Sequence, residues 1–203
     1  MSEVWITGIG IVSPIGIGKE NISRSLAEGR SGIGPISRID VEDFPVRLAG
    51  EVKDFRPRDY VRNRKSLKIT RLITQLALAA GKLAWEDAEL ENGTEPGRAG
   101  ITMSAGRVTG DLTEVAPAVY ASLDEEGRFD LAAYAYHSTV HMPPYWFLRH
   151  IPNMVPTHVS IELGLKGPSD TNCTTVVGGL LALEEAADII RRHDADVMLA
   201  GGA

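Results

Sequence analysis

The chain has 203 residues, 43% of them hydrophobic and 24% charged, which is a globular composition and excludes a disordered or collagen-like chain. A net charge of −6 disfavours a general nucleic-acid or membrane binder, because both partners are anionic. The single cysteine excludes an intrachain disulfide and a zinc site of several cysteines. The chain has no run of about 18 apolar residues and no leader-like N-terminus, so we expect a cytoplasmic protein without a membrane span.

Short apolar runs alternate with helical patterns along the chain. Residues 3–8 have the composition of a buried strand, and helical spacing follows at about residues 19–28 and 66–88. The later predicted elements are a strand at 99–105, a helix near 110–122, a loop rich in proline and aromatic residues around 143–147, a helix near 153–163, a strand at 169–172, a helix at about 174–192 and a strand from residue 195. This alternation indicates an α/β layered fold with a largely parallel sheet.

The helix predicted at 174–192 has an apolar stripe at helical spacing. We expect this stripe to face the core; its members are Val176, Leu180, Leu183, Ala187 and Ile190.

Cys173 lies between a predicted strand and this helix. At a helix N-terminus, unpaired N–H groups and the helix dipole would stabilise a thiolate, which is the nucleophilic form of cysteine. The same N–H groups could hold the oxyanion of an acyl group on that sulfur. The alternative is a buried structural cysteine.

Several segments, in this order and spacing, resemble one family. They are Val4–Gly16, Ser31–Gly34, Ala49–Phe55, Pro152–Ser169 and Asp194–Ala203. Together they are similar to the N-terminal half of a β-ketoacyl-acyl-carrier-protein synthase, an elongating condensing enzyme of the thiolase-like superfamily. The resemblance implies a thiolase-like layered α/β fold, N-terminal half only, with a mixed five-stranded sheet covered by helices. We expect one domain over residues 1–203, with the C-terminal half absent.

By this resemblance Cys173 is the catalytic nucleophile. The family usually reads Thr-Ala-Cys, so Asn172 departs from its pattern, and so does Val176. The family's two catalytic histidines and its lysine belong to the C-terminal half, and none of the five histidines of this chain matches them. His158 is a tempting base because it is near Cys173 in sequence, but its family counterpart is a structural helix residue.

The implied reaction is a decarboxylative Claisen condensation of a malonyl carrier with an acyl-Cys thioester, in fatty-acid or polyketide biosynthesis. It needs no metal and no separate cofactor, because the phosphopantetheine arrives on the acyl carrier protein. The family forms homodimers or pairs with a related subunit. The alternative function is a non-catalytic partner subunit, similar to a chain length factor, or a truncated inactive remnant.

Two further groups of residues gain a role from the resemblance. A basic segment is expected to dock the acidic carrier protein, through Arg62, Arg64, Lys65 and Lys68. A glycine-containing segment is expected to line the acyl pocket, through Ala105, Gly106 and Arg107. The alternatives are a solvated helix start and a simple turn after a strand.

A weak dinucleotide-binding pattern follows the first predicted strand. Gly8 and Gly10 are spaced as in Gly-x-Gly-x-x-Gly, but Ser13 replaces the third glycine. A nucleotide-dependent oxidoreductase is therefore the distant third hypothesis.

Overall fold

A computed structural model describes residues 3–90, 94–106 and 112–203. The helices of these ranges are α1 (Lys19–Ala27), α2 (Leu72–Asp87), α3 (Leu112–Tyr120), α4 (Leu131–His141), α5 (Met154–Leu163) and α6 (Gly178–Arg191). The strands are β1 (Val12–Ser13), β2 (Gly16–Ile17), β3 (Ile33–Pro35), β4 (Leu48–Gly50), β5 (Ala99–Ser104), β6 (Ser169–Asn172) and β7 (Val197–Gly202). Strands alternate with helices in the second half of the chain, and the α/β prediction is confirmed.

The central sheet has the strand order β6-β5-β7, with both pairs parallel. Every residue of β5 is buried, as its position between two strands and two helical layers requires. Ile101 and Met103 join the apolar core formed with α2 and α5. Thr102 points to the other face, where its hydroxyl donates to Glu185 of α6 at 3.1 Å.

The sheet of the described ranges is smaller than the predicted mixed sheet of five strands. It has three parallel strands, while β1–β2 and β3–β4 form separate antiparallel pairs. The strand predicted at residues 3–8 is absent, and Trp5 and Ile6 are each 76% exposed. Composition alone favours a strand there, but within the described ranges the segment pairs with no other strand, and a strand forms only by such pairing.

The N-terminal segment is instead held on α2. A Cβ on Gly10 would lie 1.9 Å from the Ala80 carbonyl oxygen, so only glycine fits between the two backbones. The Ile9 amide donates to the Asp87 carboxylate at 2.9 Å, and Lys19 forms an ion pair with the same carboxylate. Both interactions lower the pKa of Asp87 below its usual value.

Two helix starts differ from prediction, and one helix was not predicted. The helix predicted from residue 66 begins as the 3₁₀ helix Arg64–Ile69, and α2 itself starts at Leu72. The helix predicted from residue 174 starts at Gly178, because a run of four β-branched residues from Thr174 disfavours its first turn. The helix that was not predicted is α4, although Asp130 is a good N-cap signal: its carboxylate accepts the amide of Ala132 at 2.8 Å.

The predicted inward face of α6 is wrong. Its buried residues include Ala182, Ala186 and Ile189, whereas Val176 is 95% and Leu180 70% exposed. Small side chains let the helix axis approach the sheet closely, which the larger leucines would prevent.

Candidate functional site

The carboxyl ends of the three parallel strands meet at one edge of the sheet. Ser104 of β5 is in register with Asn172 of β6 and with Gly202 of β7. Beyond these positions the Ala105 amide donates to the Asn172 carbonyl at 3.1 Å, and the Ala203 amide to the Ser104 carbonyl at 3.0 Å. In open α/β sheets, ligands bind outside this end of the strands. Cys173 comes directly after β6 and is therefore at this edge.

Cys173 is exposed and lies in irregular backbone. The prediction that it occupies a helix N-terminus is wrong, because α6 has Val177 as its N-cap and begins five residues after the cysteine, at Gly178. The unpaired amides of α6 thus begin several residues beyond the thiol. What the geometry provides at Cys173 is an accessible sulfur at the carboxyl edge of the parallel sheet.

Asn172 bridges the two ends of the irregular segment, a role that the sequence analysis did not assign. Its Nδ2 donates to the Gly178 carbonyl at 3.2 Å, and its Oδ1 accepts from the Thr174 hydroxyl at 2.9 Å. The sequence did contain a signal for this role. Asn172 stands between a predicted strand and a predicted helix, and an asparagine side chain can both donate and accept hydrogen bonds.

The predicted pocket residues follow β5. Ala105 is fully buried in the core formed with α2 and α5, so its methyl group does not face solvent. Gly106 is half-buried, and a Cβ there would meet no atom within 4 Å. Arg107 lies outside the described residues. Their role in an acyl pocket stays a prediction.

The predicted carrier-binding residues form a basic segment at the start of the α2 region. Arg64, Lys65 and Lys68 lie on the 3₁₀ helix and are exposed. Arg62 is also exposed, but it is tied to α5: its amide donates to Glu162 Oε1 at 2.6 Å, and its guanidinium Nε lies 3.8 Å from the same oxygen. The structure therefore leaves three cations of the segment directed to solvent.

A partly buried charged network lies directly after the basic segment. Glu114 of α3 forms ion pairs with Arg71 and, at 2.9 Å, with Arg149. Arg71 Nη2 also donates to His150 Nε2 at 2.9 Å, so His150 Nδ1 carries the proton and donates to the Trp146 carbonyl at 2.5 Å. The network joins the start of α2 to α3 and to the 3₁₀ helix Phe147–Arg149.

His158, considered above as a base, is a core residue of α5. Its ring is buried, and its Nε2 has no hydrogen-bond partner in the described part of the chain. Burial lowers its pKa below the usual value of 6.5, because the charged form loses its hydration. No hydrogen bond joins it or another described histidine to Cys173.

The third hypothesis, a nucleotide site at Gly8 and Gly10, is not supported. Both glycines are used for close contact with α2; a Cβ on Gly8 would lie 2.4 Å from the Ala84 carbonyl oxygen. The described residues contain no group of three metal-ligating side chains, and none of their helices is long and apolar enough to cross a membrane.

A cleft of about 450 Å³ lies at the opposite end of the sheet from Cys173. It is bordered by Ala99, where β5 begins, and by Trp85, Lys82 and Glu162. The five residue steps of β5 from Ala99 to Ser104 separate it from the Cys173 edge, which is roughly 17 Å at the rise of a parallel strand. It does not belong to the candidate site.

Comparisons with known proteins cover the chain from end to end. The family model for the N-terminal domain of β-ketoacyl synthases matches residues 1–203. The chain is 35% identical over 201 residues to 3-oxoacyl-[acyl-carrier-protein] synthase 2 of Coxiella burnetii and 33% identical to that of Staphylococcus aureus. Each alignment covers 98% of this chain and 45% of the relative, so the chain spans about half the length of these curated proteins.

Solved structures of ketosynthases also match this chain over almost its whole length. The ishigamide ketosynthase/chain length factor matches with a TM-score of 0.79 and 29% identity over 98% of this chain and 46% of its own. A type II polyketide ketosynthase, in complex with its acyl carrier protein, matches with a TM-score of 0.71 at 23% identity over 98% of this chain and 49% of its own. The latter likeness concerns the fold alone. Both matches confirm the layered fold of condensing enzymes, and both place this chain in one half of it.

Proposed function

The chain belongs to the β-ketoacyl synthase family through its N-terminal domain, and from this premise we propose that it supplies the nucleophile, Cys173, of a condensing enzyme. The observation that carries the proposal is the exposed thiol of Cys173, next to β6 at the carboxyl edge of the parallel sheet. The resemblance assigns the nucleophile to this same residue. Fatty-acid and polyketide biosynthesis both use such enzymes.

The first step is transfer of an acyl group to the sulfur. The Cys173 thiolate attacks the carbonyl carbon of an acyl thioester on the phosphopantetheine of a carrier protein. The bond from this carbon to the carrier sulfur breaks, and the carrier leaves as a thiolate that takes up a proton. The product is an acyl-Cys173 thioester.

In the second step a malonyl carrier loses carbon dioxide, and the resulting carbanion attacks the acyl-Cys173 carbonyl. A carbon–carbon bond forms, the bond to Cys173 Sγ breaks, and the product is a β-ketoacyl carrier. By the resemblance, the histidines that favour decarboxylation belong to the C-terminal half of the family's proteins. The described histidines do not take this role in the proposal, since none of them is hydrogen-bonded to Cys173.

Cys173 acylation can be tested directly. We expect a carrier-bound or small acyl thioester, or the electrophile cerulenin, to add one acyl group or one inhibitor to the protein, as seen by intact mass. Cys173→Ser should abolish the addition, since it removes the only cysteine of the 203 residues. A thiol that iodoacetamide alkylates but neither reagent modifies would contradict the proposal.

The proposal includes docking of an acidic carrier protein on Arg64, Lys65 and Lys68, with Arg62 at the border of the surface. Its support is the exposure of these cations in a chain of net charge −6. Reversing two of them, in Arg64→Glu with Lys68→Glu, should weaken carrier binding about tenfold at low salt and less at high salt. Lys53→Glu reverses an exposed charge elsewhere and is the control. Unchanged carrier binding in the double variant would remove this assignment.

The second candidate is a non-catalytic partner subunit. One observation favours it: the helix amides that would stabilise a thiolate begin at Gly178, five residues after Cys173. The acylation test separates the two, because a partner subunit leaves Cys173 unacylated. We also propose that the protein is cytoplasmic, uses no separate cofactor, and pairs with a second copy of itself or with a related subunit.

A further inference from the structure

Asn172 is placed to control the position of Cys173. Its backbone carbonyl accepts the Ala105 amide at 3.1 Å, which anchors the residue to the end of β5. Its side chain then reaches past the cysteine to Thr174, at 2.9 Å, and to the Gly178 carbonyl, at 3.2 Å. One residue therefore connects the sheet, the segment after the cysteine and the first residue of α6.

The far end of this bridge is also fixed. A Cβ on Gly178 would lie 1.9 Å from Ser104 Oγ and 3.0 Å from Asn172 Oδ1, so α6 starts in direct contact with the end of β5. Gly178 thus presents its carbonyl at a position set by the sheet. Both ends of the segment are anchored, and the Asn172 side chain connects them.

The segment between the anchors has little else to hold it. Val176 is 95% and Val177 51% exposed, so apolar burial contributes little order there. The Gly178 amide reaches the Thr175 carbonyl only at 3.5 Å, at the long limit for a hydrogen bond. Val177 is already held by α6, because its carbonyl accepts the Leu181 amide at 3.1 Å. For residues 173–176, the two hydrogen bonds of the Asn172 side chain are the described side-chain hydrogen bonds that tie the segment to its anchors.

We propose that Asn172 is a positioning residue, which holds the Cys173 segment in one conformation so that the thiol is presented at the edge of the sheet. The acyl-transfer part of this inference rests on the proposed function; the restraint on the segment does not. Alanine in place of Asn172 would keep the backbone anchor and remove both side-chain hydrogen bonds.

Two measurements on the 203-residue chain test the inference. The first is the mobility of a methanethiosulfonate nitroxide attached to Cys173, the sole cysteine, read by electron paramagnetic resonance. The second is the rate of Cys173 acylation by the hexanoyl thioester of N-acetylcysteamine, with iodoacetamide alkylation as the measure of simple thiol access. The variants are Asn172→Ala and Thr174→Val, and the matched control is Thr175→Val, which changes an exposed neighbour of the same shape.

We expect the mobile fraction of the label to rise about tenfold in Asn172→Ala and about fivefold in Thr174→Val, which loses only one of the two hydrogen bonds. Acylation should slow by similar factors while alkylation by iodoacetamide stays within about twofold, because only acylation needs an oriented attack. Thr175→Val should behave as the parent chain in every measurement.

The outcomes separate the inference from the proposed function. An unchanged label mobility in Asn172→Ala and Thr174→Val overturns the inference. A mobile label with an unchanged acylation rate also overturns it, because Asn172 would then be structural only. If the parent chain itself is not acylated, the proposed function fails, and label mobility alone decides whether Asn172 holds the segment.

Discussion

Glu114 is the residue whose removal should destabilise the described charged network most. Its carboxylate bridges Arg71 and Arg149, and the three side chains are 20%, 20% and 16% exposed, respectively. In Glu114→Ala both guanidinium groups lose the anion that they share. Their Nε atoms have no hydrogen-bond partner in the described structure, so the network has few other acceptors to offer.

The size of the effect follows from this burial. Removing one partner of a fully buried ion pair costs about 3–5 kcal/mol. With about a fifth of each side chain still in water, we expect Glu114→Ala to lower the free energy of unfolding by about 3 kcal/mol, measured by urea denaturation followed by circular dichroism. Adding Arg149→Met should recover part of the loss, since it removes one of the two unpaired charges.

Glu126 provides the matched control. It also forms an ion pair with an arginine, Arg128, at 2.8 Å, but the two side chains are 65% and 75% exposed. Such surface pairs contribute about 0–1 kcal/mol, so Glu126→Ala should be nearly neutral. If the two variants differed by less than about 0.5 kcal/mol, burial would not be what gives the Glu114 network its strength, and the reasoning would be refuted.

Two further predictions concern the core and the N-terminal segment. Because burial lowers the pKa of His158, the unfolded chain binds a proton there that the folded chain rejects, so stability should fall as the pH drops below about 6.5. His158→Leu should reduce this loss between pH 7.5 and 5.5 in urea titrations, whereas the exposed control His141→Leu should not. Gly10→Ala should cost about 1–3 kcal/mol, because its Cβ would lie 1.9 Å from a backbone oxygen of α2. Gly34→Ala, whose Cβ would have only the Lys53 Nζ at 4.0 Å, should be close to neutral, and equal losses would contradict the packing argument.

Elements with strong local signals were predictable from the sequence. β5 is an uninterrupted run of small or apolar residues. Its neighbours in the sheet, β6 and β7, are each bounded in the sequence by glycine or by polar residues. α1 ends at Ala27 with Glu28 as its C-cap, and Gly29 follows with a φ of 62°, which glycine adopts without strain. In such places local preference and tertiary structure agree.

Features that depend on distant partners were not predictable. The stretch 3–8 has strand composition, yet a strand needs an edge to pair with. The Arg71–Glu114 contact spans 43 residues, and no spacing rule for a single helix or strand can reveal it. The inward face of α6 was misjudged because periodicity identifies an apolar stripe and not which stripe the sheet accepts.

At the candidate site, the sequence pointed to Cys173, which the structure shows to be exposed, but not to the residue that connects the segment around it. Cys173 stood out by its chemistry and by its neighbours. α6 starts later than predicted because a run of β-branched residues precedes it. The prediction followed the helical periodicity of the apolar residues, which continues through this run. The bridge made by Asn172 depends on where Gly178 lies in space, so only the folded structure shows it.

An accessible sulfur that is alone in its chain has a practical consequence for handling the protein. Cys173 has no second thiol among the 203 residues with which to close an internal bridge. Air oxidation can therefore link two molecules and then stops, because each has used its only thiol. A non-reducing gel of aged protein should show a band at twice the chain mass that dithiothreitol removes, and no ladder above it.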